Sequence, residues 1–348
     1  MFDLSELREP IVQAPMAGGP STVALALAVC RAGGLGFLAA GYQQPEALRE
    51  QIVGLRDATD APFGVNLFLP TTPTRANAGL DAYLDELVDE AARQQVPLGA
   101  PRYSDDAWET KLDVVVHERP AVASFTFGCP PAAAIERLQR ADVAVWVTVT
   151  NPDEAERAQA AGADALVVQG VEAGGHRGGF TDGEDDDGSG LLALLRVIAH
   201  ATAIPLVASG GIADGAAVAA VLCAGASAAQ LGTALMLCPE AGTSPAQRSL
   251  LAQRAPTRLT RAFSGRQARG IVNRFLLEHS ATAPAAYPEI HHATSPVRAA
   301  ARHRGDTDAF NLWAGQAHEL AQERPAGEIV HAFGEEARDV LQHWAGRL

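Results

Sequence analysis

One histidine in this sequence stands in a setting suited to acid–base chemistry. His176 follows the apolar run 164–168, which is typical of a strand buried on both faces of a parallel sheet. Glycines around it let the backbone approach a ligand without a Cβ in the way. They are Gly170, Gly174, Gly175, Gly178 and Gly179. Because imidazole titrates near neutral pH, His176 could act as a general base or donate a hydrogen bond to an anionic substrate. The alternative is a solvated loop histidine.

Glycines also follow two later apolar runs, at 204–208 and 226–231. At the ends of successive strands, converging backbone N–H groups suit an anion such as the phosphate of a flavin mononucleotide. The residues concerned are Ser209, Gly210, Gly211, Gln230, Leu231, Gly232 and Thr233. A tight turn would explain the first glycine pair alone, but its repetition after the next strand favours a phosphate site. The spacing does not fit G-x-G-x-x-G, so no Rossmann dinucleotide site is predicted.

Two polar amides end otherwise apolar strands. Asn66 and Gln169 could hydrogen-bond the carbonyl and N–H edge of an isoalloxazine ring, or they could satisfy loop backbone instead. No metal site is predicted, because His291 and His292 are adjacent and no H-E-x-x-H motif is present. No G-x-S-x-G nucleophile motif is present either.

The elements that must position these residues alternate regularly over the first ~235 residues, close to the span of a (β/α)₈ barrel. Predicted strands lie at 10–15, 34–40, 62–69, 121–127, 143–149, 165–168, 204–208 and 226–231. Between them the pattern predicts helices that begin after Ser21 or Thr22 and at Pro45, a long helical region over 80–117 divided at 97–101, and helices at 131–140, 152–161, 191–201 and 215–223. The fold class is therefore α/β, a (β/α)₈ TIM barrel, with a doubly wound open sheet as the alternative.

After Met236 the alternation stops. We predict that residues 236–308 form a lid or substrate-side subdomain inserted into the barrel, and that 309–348 return as closing helices that complete the domain formed by 1–235. Within the closing segment, helical spacing predicts five core-facing side chains. They are Trp313, Leu320, Ile329, Phe333 and Leu341.

Composition excludes several partners. The 348 residues carry a net charge of −14, which disfavours nucleic acid and anionic membrane surfaces. Lys111 is the only lysine, so Schiff-base chemistry has one poor candidate. The four cysteines form no C-x-x-C pair and read as free thiols of a reducing compartment. No signal peptide or membrane span is predicted, so we expect a soluble cytoplasmic protein, monomeric or homodimeric.

These motifs together resemble the nitronate monooxygenases, formerly called 2-nitropropane dioxygenases, which are FMN-dependent TIM-barrel enzymes. The resemblance rests on QAPMAGG at 13–19, SFTFG at 124–128, VVQGVEAGGHRG at 167–178 and LVASGGIADG at 206–215. AFSGRQARGIVNRF at 262–275 and LWAGQ at 312–316 resemble the family's substrate-side segment and closing helix. The similarity covers nearly the whole chain.

The resemblance implies oxidation of alkyl nitronates, and of some nitroalkanes, by FMN and O₂ to a carbonyl compound and nitrite, without NAD(P)H. It implies that His176 is the catalytic residue. The cofactor-binding positions that it implies are Ala14, Met16, Ala17, Asn66, Gln169, Gly174, Gly175, Ser209, Gly210, Gly211, Gln230, Leu231, Gly232 and Thr233. Physiological substrate and substrate contacts within 242–308 stay open.

Two other functions remain open. The related flavin-dependent enoyl-acyl-carrier-protein reductases share the barrel and a similar glycine–histidine segment but consume NAD(P)H, and a flavin-binding protein without turnover of nitro compounds is a third possibility. An acidic run at 184–187, within the loop 183–189, could disfavour an anionic nitronate at long range, although salt would screen it.

Overall fold

A computed structural model describes residues 2–72, 78–183 and 188–347, and the acidic run at 184–187 lies outside them. The strands are β1 (Ile11–Gln13), β2 (Gly36–Ala39), β3 (Phe63–Phe68), β4 (Val122–Thr126), β5 (Ala144–Val149), β6 (Ala165–Gln169), β7 (Gly175–His176), β8 (Leu206–Ser209), β9 (Ala228–Leu231), β10 (Thr257–Thr260) and β11 (Ala268–Ile271). The helices are α1 (Val23–Arg31), α2 (Pro45–Ala58), α3 (Ala78–Glu86), α4 (Val88–Gln94), α5 (Trp108–Glu118), α6 (Ala132–Arg140), α7 (Pro152–Ala160), α8 (Leu191–Ala201), α9 (Gly215–Cys223), α10 (Pro245–Leu251), α11 (Arg274–His279), α12 (Glu289–Arg304) and α13 (Ala326–Ala345).

Parallel strands form a closed barrel. Their order around the sheet is β1-β9-β8-β6-β5-β4-β3-β2. The last gap is closed by two backbone hydrogen bonds, from the Leu35 N–H to the Ile11 oxygen at 3.0 Å and from the Gln13 N–H to the Leu35 oxygen at 2.9 Å. Closure of this sheet confirms the (β/α)₈ barrel and excludes the open doubly wound sheet.

The barrel interior is packed with side chains at its amino-terminal end. Phe37, Val122, Trp146 and Val207 are buried there, and the rings of Phe37 and Trp146 lie 5.8 Å apart between centroids. A second apolar layer lies between the strands and the surrounding helices, which explains why the strand sequences are apolar almost throughout. Because side chains fill the amino-terminal end of the barrel, space for a ligand remains only towards the carboxyl ends of the strands.

The helix boundaries follow local signals closely. The Thr22 hydroxyl caps α1 by accepting a hydrogen bond from the Leu25 N–H, and Pro45 begins α2 as predicted. The region 80–117 forms α3, α4 and α5, with its long break after Gln95. None of the helices in the described part of the chain has the length and apolarity that a membrane span requires.

A second, three-stranded sheet joins the segment 236–308 to the histidine loop. Its order is β10-β11-β7, and β11 pairs antiparallel with β7, so that Ala268 lies opposite His176. The Arg177 N–H also donates to the Gln267 oxygen at 2.9 Å. The segment after the barrel therefore holds the loop that follows β6 in place.

The C-terminal segment closes the barrel with one helix. In α13, Ile329 and Phe333 are buried against α1 and α9. Leu320 was expected in the core but is 48% exposed, so that expectation is wrong. It lies in a short 3-10 turn before Pro325, where helical spacing does not apply. Trp313 and Leu341 are half-buried and pack against the core, and Trp313 also lines the cavity.

Candidate active site

A cavity of about 400 Å³ opens at the carboxyl ends of the barrel strands. The histidine, the strand-end amides and the glycine loops predicted from sequence all contribute to its wall. The predicted residues that line it are Ala14, Met16, Ala17, Asn66, Gln169, Gly174, Gly175, His176, Ser209, Gly210, Gly211, Gln230, Gly232 and Thr233. Leu231 does not line it, because its side chain is buried in the core between barrel and helices. The size suits a cofactor with a small substrate.

His176 is fixed by a hydrogen bond from the segment that covers the barrel. Its Nε2 lies 2.8 Å from the Ser264 Oγ. The Ser264 Oγ also lies 3.2 Å from the Arg266 carbonyl oxygen, which accepts the hydroxyl proton when the ring donates from Nε2. In that tautomer of the neutral imidazole, Nδ1 carries the lone pair that a base requires.

The surroundings of His176 keep its ring neutral. Aromatic rings of Phe127, Tyr287 and Trp313 lie between 5.6 and 5.8 Å from it, measured between centroids. Burial lowers the pKa of His176 to about 3, and the positive charges of Arg266 and Arg298 contribute to the shift. At neutral pH the ring can therefore accept a proton or donate a hydrogen bond without first losing one.

Unspent backbone donors line the cavity after β8 and β9. Within the described residues, neither the Gly211 N–H nor the Gly232 N–H has a hydrogen-bond acceptor. Gly211 has a φ of +71°, which glycine adopts without strain. At Gly232 an added Cβ would approach only Ala14 and Met16, at 3.5 and 3.9 Å, so this position borders open space. Two free amides on the loops after neighbouring strands suit an anion.

The amides Asn66 and Gln169 already have protein partners. The Asn66 Nδ2 donates to the hydroxyls of Ser124 and Thr126 at 2.9 and 3.0 Å. The Gln169 Nε2 donates to the His176 carbonyl, and its Oε1 accepts from the Gly178 N–H at 2.8 Å. Both side chains line the cavity, but Gln169 chiefly braces the histidine loop.

Sequence reasoning missed an aromatic wall. Tyr42 stacks on His291 with centroids 4.2 Å apart and planes 6° apart, and the Tyr287 hydroxyl donates to the Tyr42 hydroxyl at 3.2 Å. Burial raises the pKa of Tyr42 to about 12 and lowers that of His291 to about 2, so both are neutral. Tyr42 has a φ of +67° and is held by Asp106, whose Oδ1 accepts from its N–H at 3.0 Å.

One face of α12 also lines the cavity and was not predicted. Its residues are His291, Ser295, Arg298 and Arg302, spaced by four, three and four positions. That spacing places side chains on one face of a helix. The signal was present in the sequence, but Pro296 within the run obscured the helix.

Comparison with known proteins identifies the family to which this chain belongs. The family model described as "Nitronate monooxygenase" matches residues 2–336. A nitronate monooxygenase of Pseudomonas aeruginosa is 44% identical over 95% of this chain and 97% of its own length. The chain belongs to the nitronate monooxygenase family. A second nitronate monooxygenase, of Paraburkholderia phytofirmans, is 40% identical over 98% of this chain and 96% of its own.

Solved structures agree with this family membership. A nitroalkane oxidase from Streptomyces ansochromogenes superimposes with a TM-score of 0.95 at 48% identity, covering 98% of this chain and 99% of that one. FabK from Thermotoga maritima is more distant, with a TM-score of 0.78 at 27% identity over 99% and 97%. An enoyl reductase domain from Bacillus amyloliquefaciens shares the fold, with a TM-score of 0.67 at 12% identity over 98% of this chain and 97% of that domain.

Proposed function

We propose that this protein binds FMN and oxidises alkyl nitronates, and some nitroalkanes, with O₂ to a carbonyl compound and nitrite. The observation that carries the proposal is a neutral His176, held by Ser264, in the same cavity as two loops with free backbone donors. Membership of the nitronate monooxygenase family supports the substrate class.

The residues present fit FMN. The amides of Gly211 and Gly232 would hold its phosphate, because both residues line the cavity and neither N–H has an acceptor within the described chain. Thr243 also lines the cavity, and its Oγ1 is buried without a hydrogen-bond partner among the described residues, as expected of a side chain that awaits a ligand. Asn66, Gln169 and Gln230 would lie along the ring system.

The protein's own part in the reaction is binding and proton transfer. Bound flavin would supply electron transfer between the nitronate and O₂. His176 would accept at Nδ1 the α-proton of a neutral nitroalkane, since Nε2 is committed to Ser264. For a nitronate, which has already lost that proton, the ring would act only by position and hydrogen bonding. The aromatic side chains of Tyr42, Phe127 and Trp313, which line the cavity, would exclude water from the reacting atoms.

A direct assay tests this function. Purified protein should carry FMN, consume O₂ and release nitrite when given ethyl nitronate or propionate 3-nitronate, with no requirement for NAD(P)H. Rapid NADH oxidation with an enoyl thioester, without nitrite release, would instead support the enoyl reductase alternative. Yellow protein that releases no nitrite from either nitronate would indicate a flavin-binding protein.

A further inference from the structure

Two arginines of α12 share one neutral acceptor at the cavity wall. The Arg298 Nη1 donates to the Asn311 Oδ1 at 3.1 Å, and the Arg302 Nη2 donates to the same oxygen at 3.3 Å. All three residues line the cavity. Two positive charges are therefore brought together by an amide that carries no charge of its own.

Neither arginine has a compensating carboxylate. Within the described residues no ion pair is formed by Arg298 or Arg302, and the charged neighbour that acts on Arg298 is Arg302 itself. Some buried or half-buried arginines elsewhere in the protein are paired, as Arg261 is with Asp182 and Arg274 with Glu90. The buried Arg266 and Arg269 have no ion pair among the described residues, but each donates to backbone carbonyls. Like charges left together in a protein interior are unfavourable unless an anion lies between them.

The two guanidinium groups also retain unused donors. Arg298 donates to Thr294, to Asn311, and to the carbonyl oxygen and Nδ1 of His291, which leaves one N–H of its five unspent. Among the described residues the Arg302 side chain makes one hydrogen bond, to Asn311, and its guanidinium carbon lies 4.9 Å from the centre of the Phe310 ring. A planar oxyanion could accept from both groups at once.

We propose that Arg298 and Arg302 form an anion subsite for an anionic oxygen group of the substrate, so that the cavity prefers the nitronate anion to the neutral nitroalkane. This inference rests on the proposed function. The anionic group is either the nitronate itself or a carboxylate at the far end of the same molecule, since both present two oxygens in a plane. Removing one arginine weakens the preference without removing the base.

The first experiment measures anion binding without turnover. Nitrate, a planar monoanion, is titrated calorimetrically into the FMN-loaded protein and into Arg302→Met, Arg302→Lys and Arg298→Lys. Arg302→Met, which loses a single hydrogen bond, should bind nitrate at least 10-fold more weakly, and Arg302→Lys should recover part of the loss. Arg140→Met removes an equal charge from a side chain that is 79% exposed and should leave binding unchanged. Equal affinity in Arg302→Met and Arg140→Met would overturn the proposal.

The second experiment distinguishes the source of the anion. If the subsite holds the nitronate group, Arg302→Met raises KM for ethyl nitronate and propionate 3-nitronate alike and leaves KM for neutral nitroethane unchanged. If it holds a distant carboxylate, only propionate 3-nitronate is affected. A third outcome is that Arg302→Met binds FMN more weakly but binds riboflavin and nitrate as the wild type does. That result would assign the arginines to the cofactor phosphate and contradict the proposal. Because nitrate binding needs no turnover, absence of nitronate oxidation would contradict the proposed function and not this inference.

Discussion

The chemistry of the site depends on the state of one imidazole. His176 has a pKa of about 3, well below the ordinary value of 6.5, chiefly because it is buried. A base must be unprotonated to act, and a group with a lowered pKa stays unprotonated as the pH falls through 6.5. The low pKa also makes the imidazole a weak base. We therefore expect its contribution to proton abstraction to come from its position as well as from its basicity.

His176→Asn should retain the fold and FMN but lose most turnover of neutral nitroalkanes, by about 10²-fold or more. The loss should be smaller for nitronates, which need no proton removed. In the wild type, kcat/KM for nitroethane should not decline between pH 7.5 and pH 5, whereas a histidine with an ordinary pKa would lose activity across that range. Steady-state kinetics on both substrates checks this, and unchanged nitroalkane turnover in the variant would refute the assignment of the base.

We propose that Ser264 positions that base through the 2.8 Å contact with Nε2. Ser264→Ala should lower kcat for nitroalkanes by roughly 10-fold with little change in KM, since the tautomer and the ring orientation lose their hydrogen-bonded support. Ser264→Thr, which keeps a hydroxyl, should restore part of the rate. Ser295→Ala, on the cavity face of α12, is the control for loss of a hydroxyl in the same cavity. Equal kcat in Ser264→Ala and wild type would show that the hydrogen bond has no role in catalysis.

At the scale of elements, the loops after β8 and β9 carry the expected phosphate site. Gly211→Val tests it poorly, because a φ of +71° strains any branched side chain and the new Cβ would lie 3.0 Å from the Glu172 Cβ. Gly232 has a negative φ and open space beside it. A substitution at Gly232 should thus weaken ligand binding more than it destabilises the folded protein.

Gly232→Val should therefore weaken FMN binding by 10-fold or more while the melting temperature of the apoprotein changes little. Gly232→Ala should have an intermediate effect, since a single methyl group intrudes less on the phosphate. Flavin titration followed by fluorescence, with thermal unfolding of each apoprotein, separates the two quantities. Wild-type FMN affinity in Gly232→Val would place the phosphate elsewhere.

At the scale of the whole molecule, α13 holds the first and last parts of the chain together. It packs on α1 and α9, and Arg338 forms an ion pair with the buried Glu9 at 2.7 Å before β1. The segment 236–308 is joined to the barrel separately, through the β7–β11 pair and through Glu90 of α4, which bonds Arg274 of α11 at 2.5 Å between Oε1 and Nη1. The site lies where the barrel and this segment meet.

Phe333→Ala should lower the free energy of unfolding by about 3–5 kcal/mol, the usual cost of removing a buried phenyl ring. Leu320→Ala, at a position with 48% exposure, should change it by less than about 0.5 kcal/mol. Chemical denaturation of both variants measures the difference. An equal loss of unfolding free energy in both variants would mean that Leu320 is buried in solution, which would contradict its exposure in this structure.

Much of this protein could be predicted from local sequence. Apolar strands, proline and threonine at helix starts, and glycine after β8 and β9 each act within a few residues, so the barrel and its glycine loops followed from them. The position of Leu320 was wrong because helical spacing was extended into a segment that forms a turn.

The sequence alone thus predicted His176 and its glycine loop as a ligand-binding element at the end of a strand, and the structure places them in the wall of the cavity. Only the tertiary structure decided what the histidine can do. Its Nε2 is held by Ser264, 88 residues away, and its pKa is lowered by burial and by arginines of the later segment. Such effects depend on distance in space and on exclusion of water, and neither can be read from a residue's neighbours along the chain.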